Sequence, residues 1–308
     1  MNGLPNNVTI VEVGPRDGFQ NLPDFIPTEV KIKSIEKIIE SGVKDVEITS
    51  FVNPKAIPQM ADASEVAAAI IGKYGNRQGM HFIALVPNAR GAESAVRCGI
   101  TTVSIVISAS ESHNKANVNR SVAESLAALR EIAVSFPNLA VRLDIATALG
   151  CPFEGKVPEK DVLSLVAKAL DIGVREIVLC DTVGVADPLS VDSLTRAALK
   201  EVGGRCPIAL HLHDTRGIGV ANTYAGMLNG IEKFEASIGG LGGCPFAPGA
   251  AGNTATEDVL NMLCGMGVET GIDMGRYMEA LRYVQANIKS DLTSHMAKAW
   301  PSNPQLSE

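Results

Sequence analysis

The sequence has few aromatic residues, no cluster of basic residues and no apolar run long enough to cross a bilayer. Phe, Trp and Tyr make up 4% of its 308 residues. The formal net charge is -7, and no basic tract is interleaved with aromatic residues, so we expect no nucleic-acid partner. A bilayer-spanning helix needs about 20 consecutive apolar residues. Because the sequence has no such run, we expect no membrane partner.

Cysteine is present, but not in the patterns that build structural sites. The six cysteines include no CxxC pair, which argues against a disulfide framework and indicates reduced thiols. Residues 1–7 lack both the basic part and the apolar part of a secretory signal. We therefore expect a cytoplasmic protein.

Aliphatic residues, by contrast, are abundant and occur in a repeating order. Hydrophobic residues make up 46% of the chain and are mostly Ala, Val, Ile and Leu. Short β-branched runs alternate with longer amphipathic stretches, an order typical of parallel strands joined by crossover helices. Eight runs are predicted to be strands: Val8–Val13, Asp45–Thr49, Met80–Val86, Thr101–Ile107, Ala140–Ala146, Glu176–Cys180, Ile208–His213 and Lys233–Ile238.

Helical patterns fill the intervals between these strands. They include Glu29–Ser41, Ser64–Tyr74, Val122–Phe136, Lys160–Ile172, Leu189–Val202 and Gly219–Asn229. Eight strand–helix units predict an α/β protein with the (β/α)8 TIM-barrel fold, as one catalytic domain over residues 1–308. We also predict a glycine-rich active-site loop over residues 239–252 and an additional C-terminal helical extension over roughly residues 275–308.

Polar residues occur at the C-terminal ends of the predicted strands, where barrels of this kind carry their function. His211 and His213 are two residues apart on a strand, so both point to the same side. Two neutral imidazoles suit Mn, Fe, Co or Zn better than Mg, and a carboxylate from Asp17 across the barrel broadens the choice. We interpret the three as metal ligands. The alternative is that the histidines are strand-end residues satisfied by neighbouring carbonyls.

The turn after the first predicted strand carries Arg16 next to Asp17, bracketed by glycine and proline. That setting indicates a constrained turn rather than an ordinary solvated one. If Asp17 binds a metal, Arg16 is left to stabilise a developing oxyanion. Glu47 is either the ion-pair partner of Arg16 or an ordinary strand-end carboxylate. Asp181 is either a general acid/base or the N-cap of the following helix.

Cys244 lies in the glycine-rich loop above the expected site. A loop of this kind can close over a substrate and deliver a proton donor. We interpret Cys98, Cys180 and Cys264 as inert small hydrophobes. Asn253 follows the loop, and its side-chain carbonyl is a fourth metal-ligand candidate, which spacing alone supports only weakly.

Several segments, taken in order, resemble the 3-hydroxy-3-methylglutaryl-CoA lyase family, metal-dependent TIM-barrel lyases related to isopropylmalate and homocitrate synthases. The resemblance covers about residues 8–275, and the Ser237–Phe246 loop is its most specific part. The segments are Val11–Asn21, Thr49–Lys55, Pro58–Met60, Ser108–Ser112, Leu149–Gly155, Asp181–Gly184, Ser237–Phe246 and Gly252–Asp258.

The resemblance implies an acyl-CoA substrate and a divalent metal, with Mg²⁺ or Mn²⁺ expected and Zn²⁺ or Co²⁺ as alternatives. The implied metal ligands are Asp17, His211, His213 and Asn253. The implied catalytic residues are Arg16, Asp181 and Cys244, with Glu47 in support. We predict substrate contacts from Arg16, Ser50, Asn117 and Asp144. We also expect a homodimer.

The reaction implied for the family's usual substrate is cleavage to acetyl-CoA and acetoacetate. A base removes the C3 hydroxyl proton, and the bond to the thioester-bearing carbon breaks. Arg16 then stabilises the thioester enolate, and Cys244 protonates it.

Two positions depart from the family pattern. Asp144 stands where the family has a tyrosine near the acyl group, and Leu22-Pro23-Asp24 replaces a more usual acidic–basic pair. Asp144 changes the shape and charge of the acyl pocket, so a lyase for another substrate, such as citramalyl-CoA (which would yield pyruvate), is an alternative. A Claisen-type synthase and a catalytically silent CoA-binding barrel are two others. The cysteine loop and the lack of a long C-terminal regulatory region favour the lyase.

Overall fold

Eight parallel strands close into a barrel in the computed structural model, which describes residues 4–243 and 252–300. Each strand pairs with its sequence neighbours, and the last strand pairs with the first to close the ring. The predicted (β/α)8 barrel is confirmed, and every predicted strand boundary falls within two residues of the observed one. The strands are β1 Thr9–Glu12, β2 Asp45–Ser50, β3 His81–Leu85, β4 Thr102–Ser108, β5 Ala140–Ala146, β6 Glu176–Asp181, β7 Ile208–Leu212 and β8 Lys233–Ala236.

Helices surround the barrel, and among the described residues three α-helices follow the last strand. Two of the surrounding helices, Ala89–Arg97 and Glu111–Val118, are not among the helical stretches named from the sequence. Residues 301–308 of the predicted extension lie outside the described residues. The helices are α1 Thr28–Glu40, α2 Ala63–Tyr74, α3 Ala89–Arg97, α4 Glu111–Val118, α5 Val122–Ser135, α6 Glu159–Ile172, α7 Pro188–Val202, α8 Gly219–Leu228, α9 Thr256–Gly265, α10 Met274–Asn287 and α11 Met296–Ala299.

Local sequence signals explain where several helices begin and end. Ser121 and Glu124 form a capping box at the start of α5, which satisfies backbone N–H groups that have no partner in the helix. At the start of α7, Asp187 accepts hydrogen bonds from the Leu189 and Ser190 N–H groups. Gly173 ends α6 with φ of 90°. This left-handed conformation costs glycine little free energy because glycine has no Cβ.

Alternation along the strands separates an apolar layer from a polar barrel interior. On β5, Val141, Leu143 and Ile145 belong to the large core between strands and helices. The residues between them, Arg142 and Asp144, point into the barrel and are buried there. The interior therefore contains charged groups where barrels more often stack branched aliphatic side chains.

Within the part of the chain that the structure describes, no helix is both long enough and apolar enough to cross a membrane.

Candidate active site

A cavity of about 500 Å³ opens at the C-terminal ends of the strands. Its polar lining combines groups from the barrel mouth with groups from the loop after β3 and from α4. The barrel-mouth groups are Arg16, Asp17, Asp144, His211, His213 and Glu235, and the outer groups include Asn88, Asn117 and Arg120. Most of the predicted site residues are therefore brought to one cavity.

Three predicted metal ligands converge at this cavity. One donor atom from each of Asp17, His211 and His213 lies within 4.8 Å of the others. Asp17 belongs to a single π-helical turn, Gly14–Gly18, that follows β1, and such turns are frequent at functional sites. The Nε2 atoms of His211 and His213 are 3.1 Å apart. At that distance either one imidazole donates to the other or both direct their lone pairs to a shared cation.

Asn253, the fourth predicted ligand, lies against the same cluster. Its Nδ2 donates to Asp17 Oδ2 at 2.6 Å and to the Leu241 carbonyl at 3.0 Å. Its Oδ1 is buried and has no hydrogen-bond partner among the described residues. A buried carbonyl oxygen without a partner costs free energy unless a bound cation or water pairs with it. Together with one carboxylate and two imidazoles, this oxygen completes a donor set that fits a divalent transition metal or Mg²⁺.

His211 is held by a carboxylate that had not been singled out in the sequence. Its Nδ1 lies 2.9 Å from Glu235 Oε2. Arg142 Nη2 donates to the other oxygen, Oε1, at 2.5 Å. With Nδ1 occupied, the Nε2 of His211 is the nitrogen that faces the cavity. Glu235 lies in the middle of β8 rather than at a strand end, but its inward orientation follows from the alternation along that strand.

The two histidines have opposite pKa shifts. Burial, followed by the charge of His211, lowers the pKa of His213 to about 3. Burial also lowers the pKa of His211, but the hydrogen bond that it donates to Glu235 and the negative charge of Glu235 outweigh this and leave the pKa above the usual value. His213 is therefore in the neutral form that metal binding requires.

Arg16 forms an ion pair with Glu47, which was one of the two roles predicted for Glu47 from the sequence. Its Nε lies 2.5 Å from Glu47 Oε2, and its Nη1 lies 2.7 Å from Asp17 Oδ1. Burial raises the pKa of Glu47 to about 7 even though the charge of Arg16 lowers it. The two carboxylates fix the plane of the guanidinium at the cavity wall.

Asp181 is fully buried at the end of β6, and its carboxylate accepts from the Val185 and Ala186 N–H groups at 3.0 Å each. The alternative that Asp181 caps the following helix is wrong, because a loop intervenes and Asp187 caps α7. Among the described residues, the cavity lining includes Thr182 but not Asp181. Burial raises the pKa of Asp181 despite the backbone hydrogen bonds that lower it.

The predicted substrate contacts other than Arg16 fall into two groups. Asn117 and Asp144 line the cavity, whereas Ser50 is buried behind it and donates to Gln20 Oε1 at 3.4 Å. Asp144 Oδ2 accepts from Ser104 Oγ at 2.5 Å, and no described residue hydrogen-bonds to Asp144 Oδ1. Burial, and next the charge of Glu235, raise the pKa of Asp144 to about 6.

Cys244 and most of the predicted 239–252 loop lie outside the described residues. The start of that loop is fixed by Glu257, which accepts from the Gly239 N–H at 3.1 Å with both oxygens. Gly242 has φ of +127°, and a Cβ there would lie 2.4 Å from Asn253 Nδ2. A side chain at position 242 would therefore disturb the metal-ligand cluster directly.

Comparison with known proteins shows the family of the chain. The HMGL-like family model matches residues 7–284. The hydroxymethylglutaryl-CoA lyase of Bacillus subtilis is 41% identical over 97% of this chain and 99% of that protein. The (R)-citramalyl-CoA lyase of Chloroflexus aurantiacus is also 41% identical, over 97% of this chain and 96% of that protein.

Among solved structures, an HMG-CoA lyase from Acinetobacter baumannii in complex with coenzyme A and 3-methylmalate superposes with a TM-score of 0.90. The two sequences are 38% identical. The match covers 96% of this chain and 95% of that chain. Family model, relatives and structure agree over nearly the whole length. The chain therefore belongs to the HMGL-like family.

Proposed function

We propose that this chain is a metal-dependent carbon–carbon lyase that cleaves 3-hydroxy-3-methylglutaryl-CoA to acetyl-CoA and acetoacetate. The observation that carries the proposal is the convergence of Asp17, His211 and His213 beside Arg16 at the mouth of one cavity. It occurs in a chain that is 41% identical, over 97% of its length, to a hydroxymethylglutaryl-CoA lyase.

The proposed metal ligands are Asp17, His211, His213 and Asn253. A divalent cation bound there supplies Lewis-acid polarisation of hydroxyl and carbonyl oxygens. We propose Mg²⁺ or Mn²⁺, since an aspartate and an amide oxygen accompany the two imidazoles, with Zn²⁺ or Co²⁺ as alternatives.

The chemical step requires a base, a site for the enolate charge and a proton donor. Removal of the C3 hydroxyl proton turns the C–O bond into a carbonyl as the C2–C3 bond breaks. The bonding electrons pass to C2 and form the thioester enolate, and protonation at C2 gives acetyl-CoA. Arg16, held in place by Glu47 and Asp17, stabilises the enolate oxygen. Cys244 is the proposed proton donor.

We assign the base to Asp181, since the resemblance to the family implies a catalytic role for it and burial raises its pKa, which makes it a stronger base. Each of its oxygens accepts one backbone hydrogen bond, from Val185 or Ala186, and keeps a second lone pair that can accept a proton. Asp144 is the competing base because it lines the cavity and has a pKa of about 6.

An acyl-CoA substrate is supported by the size and lining of the cavity and by a related enzyme that binds coenzyme A. The cavity, of about 500 Å³, extends from the metal ligands past Asn88, Asn117 and Arg120. These side chains offer hydrogen bonds and one positive charge to the thioester arm and phosphates of CoA. The homodimer and a cytoplasmic location stay predictions, which sedimentation velocity and cell fractionation test.

Cleavage of citramalyl-CoA is the second candidate function, and Asp144 is the observation that favours it. A buried carboxyl in the cavity lining, with one oxygen unsatisfied by the described residues, alters which acyl group is accommodated. Sequence identity does not separate the two candidates, since relatives of both kinds are 41% identical to the chain.

Acetyl-CoA release from the two substrates, measured side by side with metal-loaded enzyme, tests the proposal. We expect turnover of 3-hydroxy-3-methylglutaryl-CoA by the wild type. Activity on citramalyl-CoA alone, or methylglutaryl activity gained only in Asp144→Tyr, would transfer the function to the second candidate. Inactivity on both, with condensation of a 2-oxoacid and acetyl-CoA, would assign the chain to the synthases.

A further inference from the structure

Ion-paired and hydrogen-bonded side chains form an unbroken series through the inside of the barrel, from its N-terminal end to His211. Four members stand at the first position of their strands: Asp45 on β2, His81 on β3, Glu176 on β6 and Lys233 on β8. His81 is exposed at that end, with 64% of its side chain accessible. The other end of the series is a proposed metal ligand.

The first links tie the N-terminal ends of four strands together. His81 Nδ1 lies 2.7 Å from Asp45 Oδ1. Lys233 Nζ lies 2.8 Å from Asp45 Oδ2 and 2.8 Å from Glu176 Oε2. Glu176 Oε1 in turn lies 2.6 Å from Arg142 Nε.

The last links lead from Arg142 to the metal site. Arg142 Nη2 donates to Glu235 Oε1 at 2.5 Å, and Glu235 Oε2 accepts from His211 Nδ1 at 2.9 Å. Arg142 thus ion-pairs with two carboxylates from different strands. Because Glu235 is held by one oxygen, its other oxygen has a fixed direction toward the imidazole.

Stability alone does not account for this series. Arg142, Glu176 and Glu235 are all buried, and taking charges out of water costs free energy that ion pairing only partly repays. Apolar side chains fill other parts of the same interior: Val178, Cys180 and Ala209 form one cluster, and Val11, Val13 and Ile83 another. A barrel can therefore be packed here without charge, so the location of the series, ending on His211, points to a role at the site.

We propose that Glu235 and Arg142 are positioning residues that hold His211 for metal binding, and that Lys233, with Asp45 and Glu176, fixes Arg142 from the N-terminal end of the barrel. The inference rests on the metal site of the proposed function. Glu235 sets the tautomer with hydrogen on Nδ1, so that the Nε2 lone pair faces Asp17 and His213. In the series the carboxylates of Asp45, Glu176 and Glu235 outnumber the cations Arg142 and Lys233 by one, which favours a cation above them.

Mn²⁺ affinity of the full-length protein without substrate, measured by electron paramagnetic resonance, tests the proposal. We expect Glu235→Gln, which keeps an acceptor but loses the charge, to weaken Mn²⁺ binding by about 10-fold, and Glu235→Leu by about 100-fold. Lys233→Met acts on His211 through three intervening residues, Glu176, Arg142 and Glu235, and we expect a loss of Mn²⁺ affinity of about 3-fold.

Lys31→Met is the matched control for Lys233→Met. Lys31 is buried and pairs with Asp62 at 2.7 Å between α1 and α2, outside the barrel interior. We expect this variant to lower the melting temperature and leave the Mn²⁺ affinity unchanged. If Lys31→Met and Lys233→Met weakened Mn²⁺ binding equally, the loss of affinity would come from general destabilisation, and the proposal would be overturned.

The tautomer provides a second measurement, independent of metal. The chain has five histidines, so two-bond ¹H–¹⁵N spectra of histidine-labelled, metal-free protein resolve them. We expect the neutral form of His211 to carry its proton on Nδ1 in the wild type and to become a mixture of the two tautomers in Glu235→Leu. Unchanged Mn²⁺ affinity in both Glu235 variants, with wild-type binding intact, would overturn the inference alone. Absence of Mn²⁺ binding by the wild type would instead remove the proposed metal site.

Discussion

Glu257 at the start of α9 gives the stability of the protein a pH dependence that one substitution removes. It is fully buried, and burial raises its pKa from 4.5 to about 7 despite hydrogen bonds from Ser294 and from backbone N–H groups. The folded state therefore binds the proton more tightly than the unfolded state. The contribution of the protonated Glu257 to the free energy of unfolding is fully present below pH 4.5. It falls as the pH rises from 4.5 to 7, and above pH 7 the free energy of unfolding no longer depends on this group.

The size of this effect follows from the pKa shift. Each pKa unit corresponds to about 1.4 kcal/mol, so the full shift costs about 3 kcal/mol once the carboxylate is ionised in the folded state. Glu257→Gln keeps an acceptor for the Gly239 N–H but cannot ionise. We expect its free energy of unfolding, relative to the wild type, to rise by about 2.5 kcal/mol between pH 5 and pH 8.

Urea unfolding of metal-free wild type and variant at the two pH values, followed by circular dichroism, measures this difference. Glu65→Gln on the exposed face of α2 is the control, and we expect its difference from wild type to stay within about 0.5 kcal/mol at both pH values. A difference for Glu257→Gln that is the same at pH 5 and pH 8 would refute the assignment of a raised pKa to this carboxyl.

The remaining predictions concern catalysis and are measured by acetyl-CoA release. Arg16→Lys keeps the charge but loses the planar guanidinium whose Nε contacts Glu47 and whose Nη1 contacts Asp17, so we expect kcat to fall by about 100-fold or more with a smaller change in KM. An unchanged kcat would show that Arg16 does not stabilise the enolate. Asp181→Asn should lower kcat by about 100- to 10,000-fold if it removes the base, whereas Asp144→Asn should change KM more than kcat. The opposite pattern would assign the base to Asp144.

The fold was predictable because the buried strands are short, β-branched and separated by strongly amphipathic helices. The helix α4 was not predicted because its sequence, Glu111–Val118, has too few apolar residues to show the periodic pattern of an amphipathic helix. What defines it is local hydrogen bonding: Ser110 Oγ accepts from the His113 N–H at its start. At its end, Asn119 adopts φ of 54°. A helix start or end signal carried by one or two residues is weaker evidence for a helix than an apolar pattern that repeats along the segment.

Much of the site was predictable because strand ends converge in a closed parallel barrel. His211, His213 and Asp17 meet as the spacing and topology required, and Arg16 pairs with Glu47. The environment of Asp181 was not predictable, since it depends on the path of the loop before α7. A second aspartate, Asp187, lies six positions after Asp181 and was equally available for the helix cap. Only the folded loop decides between the two.

Glu235 and Arg142 were missed for a different reason, which their positions make clear. Both lie in the middle of strands, whereas the site residues were predicted from the C-terminal ends of the strands. Yet alternation along β5 and β8 places both inside the barrel, where an unpaired charge is too costly to keep. Each inward charge therefore requires an opposite charge nearby, a constraint readable from sequence. The choice of partner is not readable, because Arg142 and Glu235 are 93 residues apart and only closure of the barrel brings them together.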